Sequence, residues 1–527
     1  MTNPSQPVLI NGQWRASSQS GVFSPTNPTL GQPIALEFPV SQWSDCDEAL
    51  AAASAAFVQL RTMPPESLAS FLEKYASLIE ADKEQLVEIA NQESGLPKSP
   101  RLADVELPRT INQLKLAAAA ARQQSWAMPT IDLKANIRSC YQAIGPVCVF
   151  GPNNFPFAFN SIAGGDFAAA IAAGNPVIAK ANSSHPATTH RFAVLAEKAA
   201  SETNMPAGLV QLIYRTSHVD GERLVGDPRL AAIGYTGSRS AGLQLKSVAD
   251  KVGKPFYAEL SSVNPVVFLP GSLRERLDKL IEEYVTSGLM GTGQFCTNPG
   301  MLMMIDNADT AKFVEGVSAK YQASNAGTLL SRSVETSLVK SISILKDAGA
   351  QLLTGGAKVE GSRCAVANTV LKVSGKLFLA DPHTFQTEAF GNAVLIVVCS
   401  SAAELVQSIE HLEGNLTGSI YSDSQGSDDA DYALIAASLT QRVGRVLNDK
   451  MPTGVAVSPA MNHGGPFPAT GHPGFTAVGI PASLIRFAKL TCFDSVRENR
   501  IPAVLQNANP SKAWRLVDGN WTNESIA

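Results

Sequence analysis

Cysteine is scarce in this chain. The seven residues, Cys46, Cys140, Cys148, Cys296, Cys364, Cys399 and Cys492, are an odd number, widely spread, with no C-x-x-C pair. That spacing excludes a disulfide framework and offers no zinc-ligand pattern. No apolar run approaches the roughly 18 residues a membrane helix needs. No dense basic stretch is present, and a net charge of -4 gives no electrostatic reason to bind nucleic acid or an anionic membrane. No period of about 20 to 50 residues recurs, which excludes a solenoid. The opening MTNPSQPVLINGQW lacks the basic and apolar regions of a secretory signal. These absences leave a cytoplasmic globular protein acting on small molecules.

What is present is 45% hydrophobic and 17% charged residues, the balance of a chain that buries large cores. Single cores stop growing near roughly 250 to 300 residues, so 527 residues imply two large lobes. Helical patterns alternate with short apolar runs bounded by Gly and Pro, the mark of parallel α/β units. AIGPVCVFGP (143–152) reads as a buried strand, SIAGGDFAAAIAAG as a closely packed helix, and NPVIAK, ending at Lys180, as the next strand. A helix over about 188–201 follows, then the strand LVQLIYR, another helix, the strand LAAIGYTG and a helix starting near Ser238. Cys148 and Cys399 fall in the apolar runs VCVF and LIVVCS, where a thiol is a small hydrophobe.

A parallel sheet binds ligands beyond the carboxyl ends of its strands, where helix N-termini offer unpaired N–H groups. Loops 151–154, 180–183 and 236–242 qualify. The third, TGSRSAG, is neither G-x-G-x-x-G nor a Walker A motif, and by itself is equally an ordinary helix cap. Chemistry is signalled at GTGQFCTNPG (291–300), where Gly, Thr and Asn surround Cys296 after the helical stretch LDKLIEEYVTSGLM. A nucleophilic thiol wants exposure and nearby backbone N–H groups that stabilise thiolate and oxyanion, although a loop cysteine can also be inert. In KPFYAELSSVNPVVF, Glu259 ends an apolar run, where a lone carboxylate is costly unless paired or useful. It reads either as a Glu bonded to neighbouring backbone or as a general base.

Together these segments resemble the aldehyde dehydrogenase superfamily over about residues 9–484, through GPNNFPF, IAKANSSHP, GYTGSRSAG, AELSSVNP, GQFCTNPG and TEAFGN in the family order. The resemblance implies an α/β fold with a Rossmann-like NAD(P)-binding domain (1–122 and 142–259) and a catalytic domain (260–482). A small β oligomerisation segment and C-terminal tail (123–141 and 483–527) would pair subunits into a homodimer or homotetramer. WAMPTIDLKANIRSCYQ, which interrupts the first domain, alternates as a strand does, and its edge left unpaired would invite aggregation.

Position by position, the resemblance implies Cys296 as the nucleophile, Asn154 with the Cys296 N–H as the oxyanion hole, and Glu259 as the general base. It places Lys180 at the adenosine ribose or its phosphate, Gly237, Ser238 and Gly242 at the pyrophosphate helix with Ser238 as its cap, and Glu388 at the nicotinamide ribose beside Phe390. The implied reaction is NAD(P)-dependent oxidation of an aldehyde to a carboxylate through a thioester on Cys296, without a metal.

The chain departs from the family in places. Ser183 stands where NAD-preferring relatives carry a glutamate that bonds the adenosine ribose, which removes a charge repelling a 2'-phosphate. With Lys180 and His185 close by in sequence, NADP is expected to be preferred over NAD. His185 otherwise caps a helix or faces solvent. Asn153 replaces the usual tryptophan, Ala181 a proline, Ser261, Ser262 and Val263 the common Gly-Gly-Lys, and Asn392 another proline. HGGPFPATGHPGFTAVG (463–479) and IPAVLQNANPSKAWRLVDG (501–519) are similar to 2-oxoglutarate semialdehyde dehydrogenases, whose near relatives include NADP-linked fatty aldehyde dehydrogenases. The expected reaction is 2,5-dioxopentanoate to 2-oxoglutarate, and a dianionic product would want an Arg or Lys at the tunnel mouth. A long-chain or general aldehyde is the alternative substrate. A thiol esterase without redox turnover is the rival class, and a CoA-acylating enzyme would lack Glu259.

Overall fold

The computed structural model describes residues 5–526. The short apolar runs form a seven-stranded sheet in the order Phe256–Glu259, Ala232–Thr236, Val147–Phe150, Val177–Lys180, Val210–Ile213, Val8–Ile10, Gln13–Arg15. The first five are parallel, and the two N-terminal strands close one edge antiparallel. The parallel strands are almost wholly buried, which is why they read as continuous apolar runs and not as alternating ones. The helices Gly165–Ala172, Pro186–Glu202, His218–Gly226 and Arg239–Lys251 connect them. The helix expected over SIAGGDFAAAIAAG begins only at Gly165, because Gly164 lies against the Phe159 backbone and residues 161–164 stay in turns.

A second seven-stranded sheet runs Gln351–Thr354, Thr369–Ser374, Ala393–Cys399, Met301–Ile305, Pro265–Phe268, Asn415–Tyr421, Val443–Asn448, parallel except for the first pairing. Register explains where a site can form. Lys180 and Tyr235 both pair with Phe150, and Thr236 pairs with Glu259, so four strands end on one carboxyl edge. In the second sheet Pro265 pairs with Met301 and Met301 with Leu395, so segments 260–264, 291–300 and 388–392 arrive together at its amino edge. Residues 260–264 alone separate Glu259 from Pro265, which sets the carboxyl edge of one sheet against the amino edge of the other.

A third sheet joins Ala488–Asp494, Ile137–Ala143, Thr130–Asp132, Arg515–Val517 and Asn520–Thr522, and so takes up the interrupting segment. Its edge strand Ala488–Asp494 is paired on one side only and exposes Leu490 and Cys492. No helix among the described residues is long and apolar enough to cross a membrane.

A buried ion pair ties the C-terminal region to the first connecting helix. Arg486 Nη2 donates to Asp166 Oδ1 at 2.8 Å, and the guanidinium lies 4.8 Å from the Phe487 ring centroid and 5.0 Å from that of Phe475. Removing one partner strands a charge out of water. Arg486→Met is expected to cost about 3–5 kcal/mol of stability, read from the denaturant midpoint, with Asp166→Asn added to it restoring part of the loss. A cost of Arg486→Met below about 1 kcal/mol, the range of exposed pairs, would show that the pair does not hold these segments together.

Candidate active site

Two cavities lie along the carboxyl edge of the first sheet and share Pro152, Asn153, Thr236, Gly237 and Ser238 as walls. The outer one, about 650 Å³, is lined by Lys180, Ser183, Arg215, Glu222 and Ala241 among others. Burial lowers the pKa of Lys180. Ser238 occupies the N-cap position of the helix Arg239–Lys251, but its hydroxyl accepts no bond from the helix, so capping by Ser238 is not what satisfies the first N–H groups. A Cβ at Gly242 would collide with Leu260 Cδ2, and one at Gly237 would lie 2.7 Å from Tyr235 Oη, so both glycines let the helix approach the sheet. An uncapped helix start beside two cations fits the diphosphate and ribose phosphate of a dinucleotide. His185 is a correction: it is buried, with Nε2 2.8 Å from the Pro152 carbonyl, so it neither reaches a cofactor phosphate nor faces solvent.

The inner cavity, about 370 Å³, is lined by Asn154, Glu259, Cys296, Glu388 and Phe390 among others. Burial pushes Glu388 up to about 7, against the opposing bond from the Ser262 N–H.

Cys296 follows the helix Pro270–Leu289 on a tight turn with positive φ at Gly291, Thr292 and Gly293. A Cβ at Gly293 would strike the Gly391 carbonyl, so glycine is required for this turn to lie against the 388–392 segment. Amides pin the loop. Asn264 Nδ2 donates to the Cys296 and Asn298 carbonyls, both at 2.9 Å, and Asn415 Oδ1 accepts from the Val263 and Asn264 N–H groups at 2.9 and 3.1 Å. Asn154 Nδ2 donates to the Gln294 carbonyl at 3.0 Å, and the Asn154 carbonyl accepts from Arg101 Nη2 at 3.0 Å. Arg101 is in turn paired with buried Glu106, whose other oxygen takes the Phe157 and Ala158 N–H groups at 2.8 and 3.0 Å. The Cys296 N–H has no hydrogen-bond acceptor among the described residues.

Sequence reasoning missed one member of this site. His463 Nε2 lies 3.4 Å from Cys296 Sγ and 3.2 Å from Glu259 Oε2, with His463 and Glu259 both buried. The histidine bonds the sulfur, whereas Glu259 Oε2 has no hydrogen-bond partner among the described residues. The three donor atoms lie within 4.8 Å of one another, close enough to share a proton or to be bridged by a soft cation, although no metal-ligand spacing is visible in the sequence. The signal available was a lone histidine before Gly-Gly in an apolar, proline-rich segment, which is weak.

Burial raises the Cys296 thiol well above its ordinary value, the Glu259 charge raises it further, and Arg109 opposes both. In the resting protein Glu259 therefore disfavours the thiolate. Glu259→Gln should speed alkylation of Cys296 by iodoacetamide several-fold at pH 8, because a larger fraction is ionised. A slower reaction, followed by mass spectrometry, would mean that Glu259 serves the thiol as a base and not as a repelling charge.

The profile of the aldehyde dehydrogenase family matches residues 14–465. The chain is 37% identical over 525 residues to "Alpha-ketoglutaric semialdehyde dehydrogenase 2" of Azospirillum brasilense, covering 97% of this chain and 98% of that one. It is 35% identical over 523 residues to "Alpha-ketoglutaric semialdehyde dehydrogenase" of Acinetobacter baylyi, with the same coverage of 97% and 98%. Among solved structures it shares its fold with lactaldehyde dehydrogenase of Escherichia coli, at TM-score 0.81 and 22% identity over 93% of this chain and 98% of that one. A mutant of aldehyde dehydrogenase C from Pseudomonas syringae, complexed with NAD+ and octanal, superposes at TM-score 0.78 and 19% identity over 93% and 97%. A family match across most of the chain, and relatives aligned end to end, make this protein a member of the aldehyde dehydrogenase family, an NAD(P)-dependent oxidoreductase that acts on aldehydes.

Proposed function

We propose that the protein oxidises alpha-ketoglutaric semialdehyde (2,5-dioxopentanoate) to alpha-ketoglutarate (2-oxoglutarate), with NADP preferred to NAD. The observation that carries the chemistry is the contact of His463 with both Cys296 and Glu259, the latter two lining the inner cavity and Glu259 Oε2 having no hydrogen-bond partner among the described residues. The two full-length relatives named for this activity support the substrate.

In this reading Cys296 attacks the aldehyde carbon. His463 takes the thiol proton, which relieves the cost of forming a thiolate beside Glu259. The developing oxyanion is held by Asn154 Nδ2, released from Gln294, and by the unoccupied Cys296 N–H. The nicotinamide, when bound, supplies the acceptor for the hydride that leaves as a thioester forms on Cys296. Glu259 then takes a proton from water through the oxygen that has no partner, and the water attacks the thioester to release the carboxylate. Glu388 and Phe390 would hold the nicotinamide ribose side, Gly237, Ser238 and Gly242 the pyrophosphate, and Lys180 the adenosine ribose phosphate. Ser183 contributes no charge against a 2'-phosphate, and Arg215 on the same cavity adds a cation that favours one.

The same reading makes 1–122 with 142–259 the cofactor domain, 260–482 the catalytic domain, and 123–141 with 483–527 the segment that meets another subunit. The half-paired strand Ala488–Asp494 supports a homodimer or homotetramer.

With alpha-ketoglutaric semialdehyde and a long aliphatic aldehyde each offered with NAD and NADP, reduced nicotinamide should form fastest with the semialdehyde and NADP, and not at all in Cys296→Ala. Ser183→Glu should shift the NADP to NAD ratio of kcat/KM by about tenfold or more toward NAD. A faster rate with the long aldehyde overturns the substrate, and a wild-type preference for NAD overturns the cofactor. His463→Gln should lower kcat by about 100-fold, the scale of general acid–base catalysis, and slow Cys296 alkylation. Unaltered values would remove His463 from the mechanism.

A further inference from the structure

Arg109 is a charged group near Cys296 to which the reaction above gives no task. It sits on the helix Leu107–Gln123, where its Nε donates to Gln113 Oε1 at 3.2 Å, and Gln113 Nε2 is anchored on the Ala158 carbonyl at 3.3 Å. Its Nη2 is buried and has no hydrogen-bond partner among the described residues. No carboxylate pairs with it, since neighbouring Glu106 commits one oxygen to two N–H groups and the other to Arg101. Other inward-facing guanidinium groups are better provided for, although Arg486 Nη1 and the Nε atoms of Arg101, Arg445 and Arg515 are also buried without a partner among the described residues. Arg101 and Arg486 have carboxylates, and Arg445 and Arg515 spend both Nη atoms on backbone carbonyls. An unpaired guanidinium nitrogen held out of water is costly unless a ligand brings the anion.

Its position relates this charge to the reacting sulfur. The guanidinium carbon is 5.1 Å from the Phe159 ring centroid and 5.8 Å from that of Phe155. The Phe159 ring lies 5.7 Å from the His463 ring, centroid to centroid, and His463 touches Cys296. The cation therefore stands one aromatic ring beyond the imidazole. Arg109, Phe159 and His463 do not line the inner cavity that carries Glu388 and Phe390. The same helix turns Gln113, Leu116 and Ala117 onto another cavity of about 50 Å³, shared with Ser458 and Pro459.

We propose that Arg109 binds the carboxylate of a short-chain ω-oxo acid whose aldehyde carbon lies at Cys296. The proposal rests on the substrate reading above and deepens it. The planar fork of Arg109, aimed by Gln113, receives the acid end through Nη2, and the rings of Phe155 and Phe159 flank the intervening carbons. This makes Arg109 a specificity-determining residue, because an uncharged aldehyde gains nothing from it.

The test compares kcat/KM for alpha-ketoglutaric semialdehyde with that for pentanal, an uncharged aldehyde of similar length, in wild type, Arg109→Gln and Arg109→Lys. The ratio of the two should fall about 10- to 100-fold in Arg109→Gln, the worth of a hydrogen bond to a charged group, and be partly restored in Arg109→Lys. Parallel losses on both substrates would overturn the proposal, since a purely structural role predicts them. Calorimetric binding of alpha-ketoglutarate to Cys296→Ala, with and without Arg109→Gln, reads the site without turnover. Binding weakened by a similar factor supports the anion site even if the wild type oxidises no oxo acid, in which case the substrate reading alone fails. Binding that is undetectable, or equal in the two proteins, overturns it.

Discussion

The spacing between the acid Glu259 and the thiol Cys296 is set by side-chain amides. Asn264 carries the carbonyls of Cys296 and Asn298, Asn415 holds the N–H groups of Val263 and Asn264, and Gln294 accepts the Leu330 N–H at 2.8 Å. These groups gather around the short connection at which the carboxyl edge of one sheet meets the amino edge of the other. Apolar packing would leave a loop of glycines and threonine free to slide, whereas a buried amide left without its partners costs about 1–3 kcal/mol. The direction of the Cys296 loop follows from that penalty. So does the left-handed turn before it, which Gly293 alone allows to press against Gly391.

Around this frame charge is distributed unevenly. Burial raises the Cys296 thiol most, Glu259 and Glu388 raise it further, and Arg109 works against them. The resting nucleophile is thus kept protonated and quiet.

Much of this was legible in the sequence, for a reason that can be stated. Each of the six quoted motifs sits where a strand ends or begins on the facing sheet edges, and there backbone geometry permits few residue types. That Cys296, Glu259, Asn154 and Glu388 line one cavity could be anticipated because their neighbours are constrained as strongly as they are. His463 could not. It lies 167 positions from Cys296, and nothing local separates it from a histidine buried for packing. Arg109 lies in an ordinary amphipathic helix, and only the folded arrangement reveals that its charge has no partner. His185 misled for the opposite reason, since nearness in sequence to Lys180 places it at a helix start whose side chain turns inward onto Pro152. The helix over 161–174 was read too long because its small residues are helix-compatible, whereas Gly164 is there for close approach of two backbones.

The helix Leu107–Gln123 meets the loop that carries Asn154 through Glu106 at its start, Arg109 over the Phe155 and Phe159 rings, and the Gln113 side chain, and makes no bond to the Asn264 and Asn415 frame. The helix and the Cys296 turn are therefore held by separate sets of bonds. Substitutions at positions 109, 113, 116 and 117 would leave the Asn264 and Asn415 bonds behind the Cys296 loop in place. That division makes the helix the natural place to begin a combinatorial library.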